Sequence, residues 1–328
     1  MKKNIAIIWG GYSSEIVVSE KSSNGIHSFI DKNRYNVYEV RIDKSGWTAH
    51  IDSKRHDIDK NDFSIVTESG KIKIDFAYIT IHGTPGEDGR LQGYFDMLGI
   101  PYSSCGLMAA ALTFNKFICN NFLRNFGINV ASSVYLNRDT KYDVQEIAEQ
   151  LQFPMFVKPN TGGSSFATTK VKSIEQIQAA IDIAFAEASE VILESFLSGR
   201  EVTCGCYKTG DREVLLPITE VIPKNEFFDY GAKYNGEVEE ITPANISAKI
   251  TNEVQRLTSK IYDLTDAKGI IRADYIIVGD IPYLLEVNTT PGMTLTSFIP
   301  QQVKAAGLTM TDVLTDIIEY EYNKTCAK

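Results

Sequence analysis

The amino-acid sequence predicts a mixed α/β and α+β chain, and three stretches carry that prediction. Asn4 to Ile42 reads strand, glycine turn, helix, strand, the order of a parallel sheet with a ligand edge at the strand C-termini. Met155 to Ala167 reads as a strand ending in a lysine and entering a loop of small residues. Ile270 to Asn288 reads as two apolar strands joined at Gly279-Asp280, followed by a polar loop closed by Pro291-Gly292. At 328 residues, 43% hydrophobic and 23% charged, the chain has core enough for two or three compact units. A net charge of −9 argues against nucleic acid or an anionic membrane as a partner, and no apolar run approaches the length of a membrane span. The apolar run after Met1-Lys2-Lys3 is too short for a signal peptide, so a cytoplasmic enzyme is expected.

In the first part, a strand at Asn4 to Trp9 meets the turn Gly10-Gly11, then a helical pattern runs from Ile16 to Ile30 and a second strand from Tyr35 to Ile42. Hairpins follow around Ser45-Gly46 and Ser69-Gly70, then a strand from Phe76 to Ile81. Gly10-Gly11-Tyr12-Ser13-Ser14-Glu15 is not G-x-G-x-x-G, so the dinucleotide fingerprint fails. Taken alone, Glu15 at the helix start is a dipole-complementing cap. His82 to Gly89 is a glycine-rich loop leading into a helix to Leu98, which places backbone N–H groups at the sheet edge. Pro101 to Gly106 interrupts the pattern and marks a boundary.

The second part has helices at Ala109 to Phe114 and Asn115 to Phe126, a strand at Val130 to Tyr135 and a helix at Val144 to Leu151. The loop Pro159 to Ala167 lacks the G-K-[ST] of a P-loop, which excludes a Walker-type NTPase. Ser173 followed by Gln176 is a capping-box start for a helix to about Ala186. Val191 to Leu197 is a strand, hairpin strands continue to Val221, and Pro223 to Pro243 is a polar loop long enough to be functional or disordered. A helix from Asn245 to about Ala267 precedes the hairpin, and one amphipathic helix from Met310 to Tyr322 follows Phe298-Ile299-Pro300. Five cysteines (105, 119, 204, 206 and 326) form no zinc pattern; Cys204 and Cys206 share a strand face and read as reduced packing thiols.

The hairpin carries the chemistry. Arg272 and Asp274 alternate with apolar neighbours on its first strand, Glu286 and Asn288 on its second, so each pair shares one face. With a three-residue loop, Gly279 to Ile281, Asp274 lies opposite Glu286; with two residues the carboxylates point to opposite faces. Two carboxylates and an amide oxygen on one face are hard ligands that suit Mg2+ held partly by substrate phosphates. An arginine beside them would stabilise charge on a transferring phosphoryl group. A surface ion pair on a half-exposed hairpin is the plainer reading of one such pair, and four groups in phase outweigh it.

R-x-D followed by E-x-N-T-x-P-G-M-T resembles the metal-binding core of the ATP-grasp ligases, specifically the D-alanine–D-alanine ligase family. G-G-x-S-x-E, H-G-x-x-G-E-D-G-x-x-Q-G and F-x-D-Y-x-x-K-Y (Phe228 to Tyr234) extend the likeness over roughly residues 4 to 320. The resemblance implies a Rossmann-like N-terminal domain (1–103), a central ATP-grasp lid domain (104–192) and a C-terminal ATP-grasp domain with the metal site (193–328). It implies that Asp274, Glu286 and Asn288 hold two Mg2+ ions, or Mn2+, and that Lys116, Lys158 and Lys233 serve ATP. Glu194 and Leu197 would contact the adenine through their backbone, and Glu201 would hold the ribose. Glu15 would orient the first D-alanine beside His82, and Arg272 with the Gly292 N–H would stabilise an oxyanion. Ser297 and Phe298 would border the second D-alanine. Tyr234 would hydrogen-bond with Glu15 and Ser164, and the Lys233-Tyr234 pair marks formation of a dipeptide rather than an ester. Departures from the family pattern are Ile16 and Val17, Thr161-Gly162, Ala167 and Phe298. The resemblance further implies a homodimer acting on D-alanine and ATP. A ligase joining other substrates, D-lactate included, and a non-catalytic nucleotide sensor are the alternatives.

Overall fold

A computed structural model of the chain describes residues 2–163, 166–210, 212–223 and 238–327. Its first sheet holds β1 (Lys3–Gly10), β2 (Tyr35–Asp43), β3 (Gly46–Ile51), β4 (Lys54–Asp59), β5 (Ser64–Thr67), β6 (Gly70–Ile72) and β7 (Phe76–Ile79). The order is β6-β5-β4-β3-β2-β1-β7. Only β1 pairs in parallel, with β2 and β7; the pairs from β2 to β6 are antiparallel. The expected parallel sheet is thus a three-strand nucleus extended by an antiparallel ribbon. Ile5, Ile7 and Ile8 on β1 are fully buried, as befits a strand covered on both faces.

Helix α1 (Ile16–Phe29) buries Ser19, Ser22, Ser23 and Gly25, small residues that allow a close approach. A Cβ at Gly25 would fall 2.0 Å from the Met293 carbonyl oxygen, so only glycine lets this helix touch the turn that follows the C-terminal hairpin. That contact brings the two ends of the chain to one place. Helix α2 (Arg90–Leu98) follows the glycine-rich loop.

Helices α3 (Leu107–Phe114) and α4 (Lys116–Arg124) come next, with the Asn115 side chain capping α4 by accepting from the Ile118 N–H. A four-stranded antiparallel sheet then contains β8 (Ser133–Asn137), β9 (Met155–Pro159), β10 (Thr169–Val171) and β11 (Glu190–Ser195), in the order β10-β9-β11-β8. Helices α5 (Val144–Leu151) and α6 (Ile177–Glu187) pack on it around Leu136, Met155, Val157, Ile181 and Leu193. β8 begins three residues after Val130, which instead makes an isolated bridge to Leu284. The expected capping box does not form: the Ser173 hydroxyl bonds the Glu175 carboxylate, the Gln176 side chain accepts from the Lys172 N–H, and a 3₁₀ turn precedes α6.

The third sheet has β12 (Arg200–Thr209), β13 (Arg212–Leu215), β14 (Thr219–Pro223), β15 (Val238–Ile241), β16 (Ile270–Val278) and β17 (Ile281–Asn288). Its path is β15-β14-β12-β16-β17, with β13 also on β12. β15 lies inside the stretch expected to be all loop. Helix α7 (Ala248–Leu264) covers the sheet, capped by Ser247 rather than starting at Asn245. Leu123 and Cys119 of α4 share a core with Val254, Tyr275 and Leu284. Helix α8 (Phe298–Ala305) lies where the sequence reading has no helix; Pro300 falls in its first turn, where the missing N–H costs nothing. Helix α9 (Met310–Cys326) packs Val313, Leu314 and Ile317 together with Ile5 and Ile26, so the first and last parts of the chain share a core. All five cysteines are free, four of them buried. Among the described residues no helix is long and apolar enough to cross a membrane.

Candidate active site

The hairpin corrects the sequence reading in one respect. Val278 pairs with Ile281, so the turn has two residues, Gly279 and Asp280, with Gly279 at φ +62. Two-residue parity alone would put Asp274 and Glu286 on opposite faces. Instead Tyr275 pairs with Leu284 while Asp274 pairs with Glu286, leaving Leu285 as the extra residue of a β-bulge. The bulge re-phases the strand: Pro282 and Leu284 are buried before it, Val287 and Thr289 after it. Leu285 and Glu286 consequently both line the cleft. The adjacent apolar pair Leu284-Leu285, which breaks alternation, was the signal available in the sequence.

Asp274 is tied from three sides. The Arg272 Nε and an Arg272 terminal nitrogen donate to its two oxygens at 2.8 and 2.7 Å, the Thr203 hydroxyl at 2.6 Å and the Asn288 amide at 3.0 Å. Thr203 stands opposite Asp274 in the β12–β16 register and was not singled out from sequence, although it alternates in phase with Glu201. Burial opposes the charge on Arg272, but the Asp274 carboxylate outweighs it and raises the guanidinium above its ordinary value. Its guanidinium also lies 5.3 Å from the centre of the Phe298 ring, within cation–π range.

These groups form one wall of an 850 Å³ cleft. Of the expected site residues, Glu15, Lys116, Lys158, Glu194, Leu197, Glu201, Arg272, Asp274, Glu286 and Phe298 line it. Lys158 on β9 meets Glu194 on β11 at 2.5 Å; burial works against its charge, and the carboxylate overrides this and raises it. Glu194 thus presents an engaged side chain, not only a backbone. The Lys116 ammonium lies 2.5 Å from the Gly162 carbonyl oxygen and 3.5 Å from Glu286. Phe156 and Phe196, 5.8 Å apart, add apolar walls missed in the sequence.

Glu15 occupies the cap position of α1 but makes no capping hydrogen bond; its side chain is buried toward the cleft. A Cβ at Gly163 would come within 2.9 Å of its carboxylate, so glycine there lets the small-residue loop reach it. Glu87 was also overlooked. Burial, with the negative charge of Glu15 beside it, pushes its carboxyl up to about 8, although the Gly83 N–H donates to it at 2.7 Å.

Four expected residues stand outside the cleft lining. His82 is buried, with Nε2 3.1 Å from the Ser22 hydroxyl, and that hydroxyl accepts from the Met293 N–H. Asn288 stands behind Asp274. The Ser297 hydroxyl faces the Thr294 hydroxyl at 2.8 Å and approaches the Cβ position of Gly292. Ser164, Lys233 and Tyr234 lie outside the described residues.

Among the described residues no three His, Cys, Asp or Glu side chains gather to hold a metal ion; here two facing carboxylates are completed by an amide. The Asn288 nitrogen is engaged with Asp274, which leaves its oxygen as the third donor. This hard oxygen set fits Mg2+ sharing its coordination with phosphates. A cleft lined by lysines, carboxylates and apolar rings has the chemistry to take a nucleotide.

The D-ala D-ala ligase N-terminus family matches residues 4–105, and the D-ala D-ala ligase C-terminus family matches residues 122–319. A D-alanine--D-alanine ligase of Parabacteroides distasonis is 59% identical over 323 residues, 98% of this chain and 98% of that protein. The VanG D-Ala:D-Ser ligase from Enterococcus faecalis superposes with a TM-score of 0.87 at 29% identity, covering 98% of this chain and 100% of that one. The D-alanine--D-alanine ligase from Bacillus anthracis complexed with ATP gives 0.79 at 27% identity, covering 99% of each chain.

Proposed function

The chain belongs to the D-ala D-ala ligase family, and from that premise we propose that it joins two D-alanines into D-alanyl-D-alanine, consuming ATP, for peptidoglycan precursor synthesis. It is an ATP-dependent ligase of the ATP-grasp fold. The observation that carries the reading is the bulged hairpin, which sets Arg272, Asp274, Glu286 and Asn288 on one face, with Lys116 and Lys158 lining the same cleft.

A bare carboxylate is a poor electrophile for an amine, so the first D-alanine is activated by phosphoryl transfer to an acyl phosphate. The second D-alanine's amine then attacks it and phosphate leaves. Lys116 and Lys158 hold the phosphates, Glu201 the ribose, and the Phe156–Phe196 side of the cleft encloses the base. Glu15 orients the first ammonium, and Arg272 with the Gly292 N–H stabilises the tetrahedral oxyanion, where loss of one donor typically costs about 3–4 kcal/mol. Asp274, Glu286 and Asn288 hold two Mg2+ ions, which neutralise phosphate charge when bound. Ser297 and Phe298 border the second D-alanine. Cytoplasmic residence and a homodimer go with this reading.

The test is ADP release by the purified chain with Mg2+ and a panel of amino and hydroxy acids, with products identified by mass. D-alanine-dependent ADP release and the dipeptide are expected, rising from pH 6 to about 8.5 as free amine appears. Faster consumption of D-lactate than of D-alanine at pH 7 would overturn the dipeptide assignment. Phe298, which lies against Arg272 in the cleft, favours a second reading in which a different acceptor is joined; the same panel separates the two.

A further inference from the structure

Lys116 belongs at once to two groups that the reaction asks to part. Its ammonium sits 2.5 Å from the Gly162 carbonyl oxygen and 3.5 Å from the Glu286 carboxylate, with the lysine side chain only 11% exposed and that of Glu286 30% exposed. Glu286 is also the carboxylate that faces Asp274 across the hairpin, placed to take a divalent cation. The ammonium is placed on the cleft wall to take a phosphate. One carboxylate therefore has two cationic claimants, and one ammonium has two anionic ones.

We propose that the Lys116–Glu286 pair makes the site select the nucleotide–metal complex over either component alone. A cation arriving without nucleotide competes with a resident ammonium for Glu286. A nucleotide arriving without cation competes with Glu286 for Lys116, and it brings its charge toward an unneutralised carboxylate pair. The complex satisfies both exchanges together: phosphate takes the lysine, and the released carboxylate takes the cation. Coupling of this kind is reciprocal, so each half can be measured separately. Arg272 and Lys158 also feel the Glu286 charge, but each has a carboxylate of its own in direct contact. Arg272 holds Asp274 by two hydrogen bonds, and Lys158 is paired with Glu194 on the opposite wall. The inference rests on the proposed roles of Lys116 and Glu286.

Two binding measurements on the full-length protein test it, neither needing turnover. Mn2+ binding without nucleotide, followed by electron paramagnetic resonance of the free ion, should be about tenfold tighter in Lys116→Met than in the unaltered protein. Lys116→Arg, which keeps the positive charge, should stay within about twofold of it. ATP binding in the presence of a chelator should be about tenfold tighter in Glu286→Gln, where the ammonium is released. Unchanged or weaker Mn2+ binding in Lys116→Met, or equal behaviour of Met and Arg, overturns the inference. So does unchanged metal-free ATP binding in Glu286→Gln, which decides the matter if the lysine variant does not fold. The underlying site assignment fails separately: it falls if Lys116→Met binds Mg2+–ATP as tightly as the unaltered protein does.

Discussion

The two walls of the cleft hold their charges in different ways. On the hairpin wall, Asp274 receives four hydrogen bonds from three residues, one of them Thr203 from the adjoining strand β12. On the facing wall, Lys158 and Glu194 make a single pair across neighbouring strands of a sheet with its own core. The first wall is over-determined, because removing one contact leaves the others to hold position. The second depends on a local pair. The chemistry is assigned to the wall whose geometry has the most independent supports, and nucleotide capture to the one with the fewest.

Arg272→Met should give the largest effect. It removes the proposed oxyanion donor and leaves a buried carboxylate without its guanidinium, so turnover should fall by about 10³ and stability by about 3–5 kcal/mol. Turnover assays beside urea denaturation check it; an unchanged midpoint would show that Thr203 and Asn288 suffice to hold Asp274. Glu286→Gln should lower turnover by about 10² at saturating Mg2+ while Mg2+–ATP affinity changes much less, on the scale of losing one charged contact. Retained turnover would remove Glu286 from the metal set.

Glu194→Gln probes the facing wall. It keeps the hydrogen-bond acceptor but not the charge, so KM for ATP should rise about tenfold with kcat little altered, the signature of lost uniform binding. A fall in kcat equal to that of the hairpin variants would erase the contrast between the walls.

The smallest effect concerns pH. Glu87 is raised from 4.5 to about 8, chiefly by burial. Between those values the folded chain keeps a proton that the unfolded chain has lost, so stability from this group is full below pH 4.5 and is lost as pH rises through 8. Glu87→Gln carries no such loss. Without metal, it should match the unaltered protein near pH 4 and melt at a clearly higher temperature near pH 8.5. Parallel melting curves at both pH values would contradict the assignment.

Much of this was legible in the sequence because each signal was local. The alternation around Arg272, Asp274, Glu286 and Asn288, the glycines after β1, and the lysine near the end of β9 each lie within a single short stretch of sequence. What escaped depended on competition or on distant partners. The hairpin of β3 and β4 turns on Asp52 and Ser53, both at positive φ, with no glycine to announce it. The Ser173 hydroxyl donates to the nearby Glu175 carboxylate instead of accepting from a backbone N–H as a cap does. Thr203, Phe156 and Glu87 acquire their roles only once three sheets meet, and no spacing encodes that meeting.

The bulge at Leu285 amounts to a parity bit for the active site. A two-residue turn and one unpaired residue together restore the in-phase state that either alone would invert. Deleting Leu285 should therefore remove the bulge and leave Glu286 opposite Asp274 across a regular two-residue hairpin. What the carboxylate pair cannot survive is a ladder that zips regularly with Leu285 still present: Leu285 would then stand opposite Asp274, and Glu286 would pass to the other face.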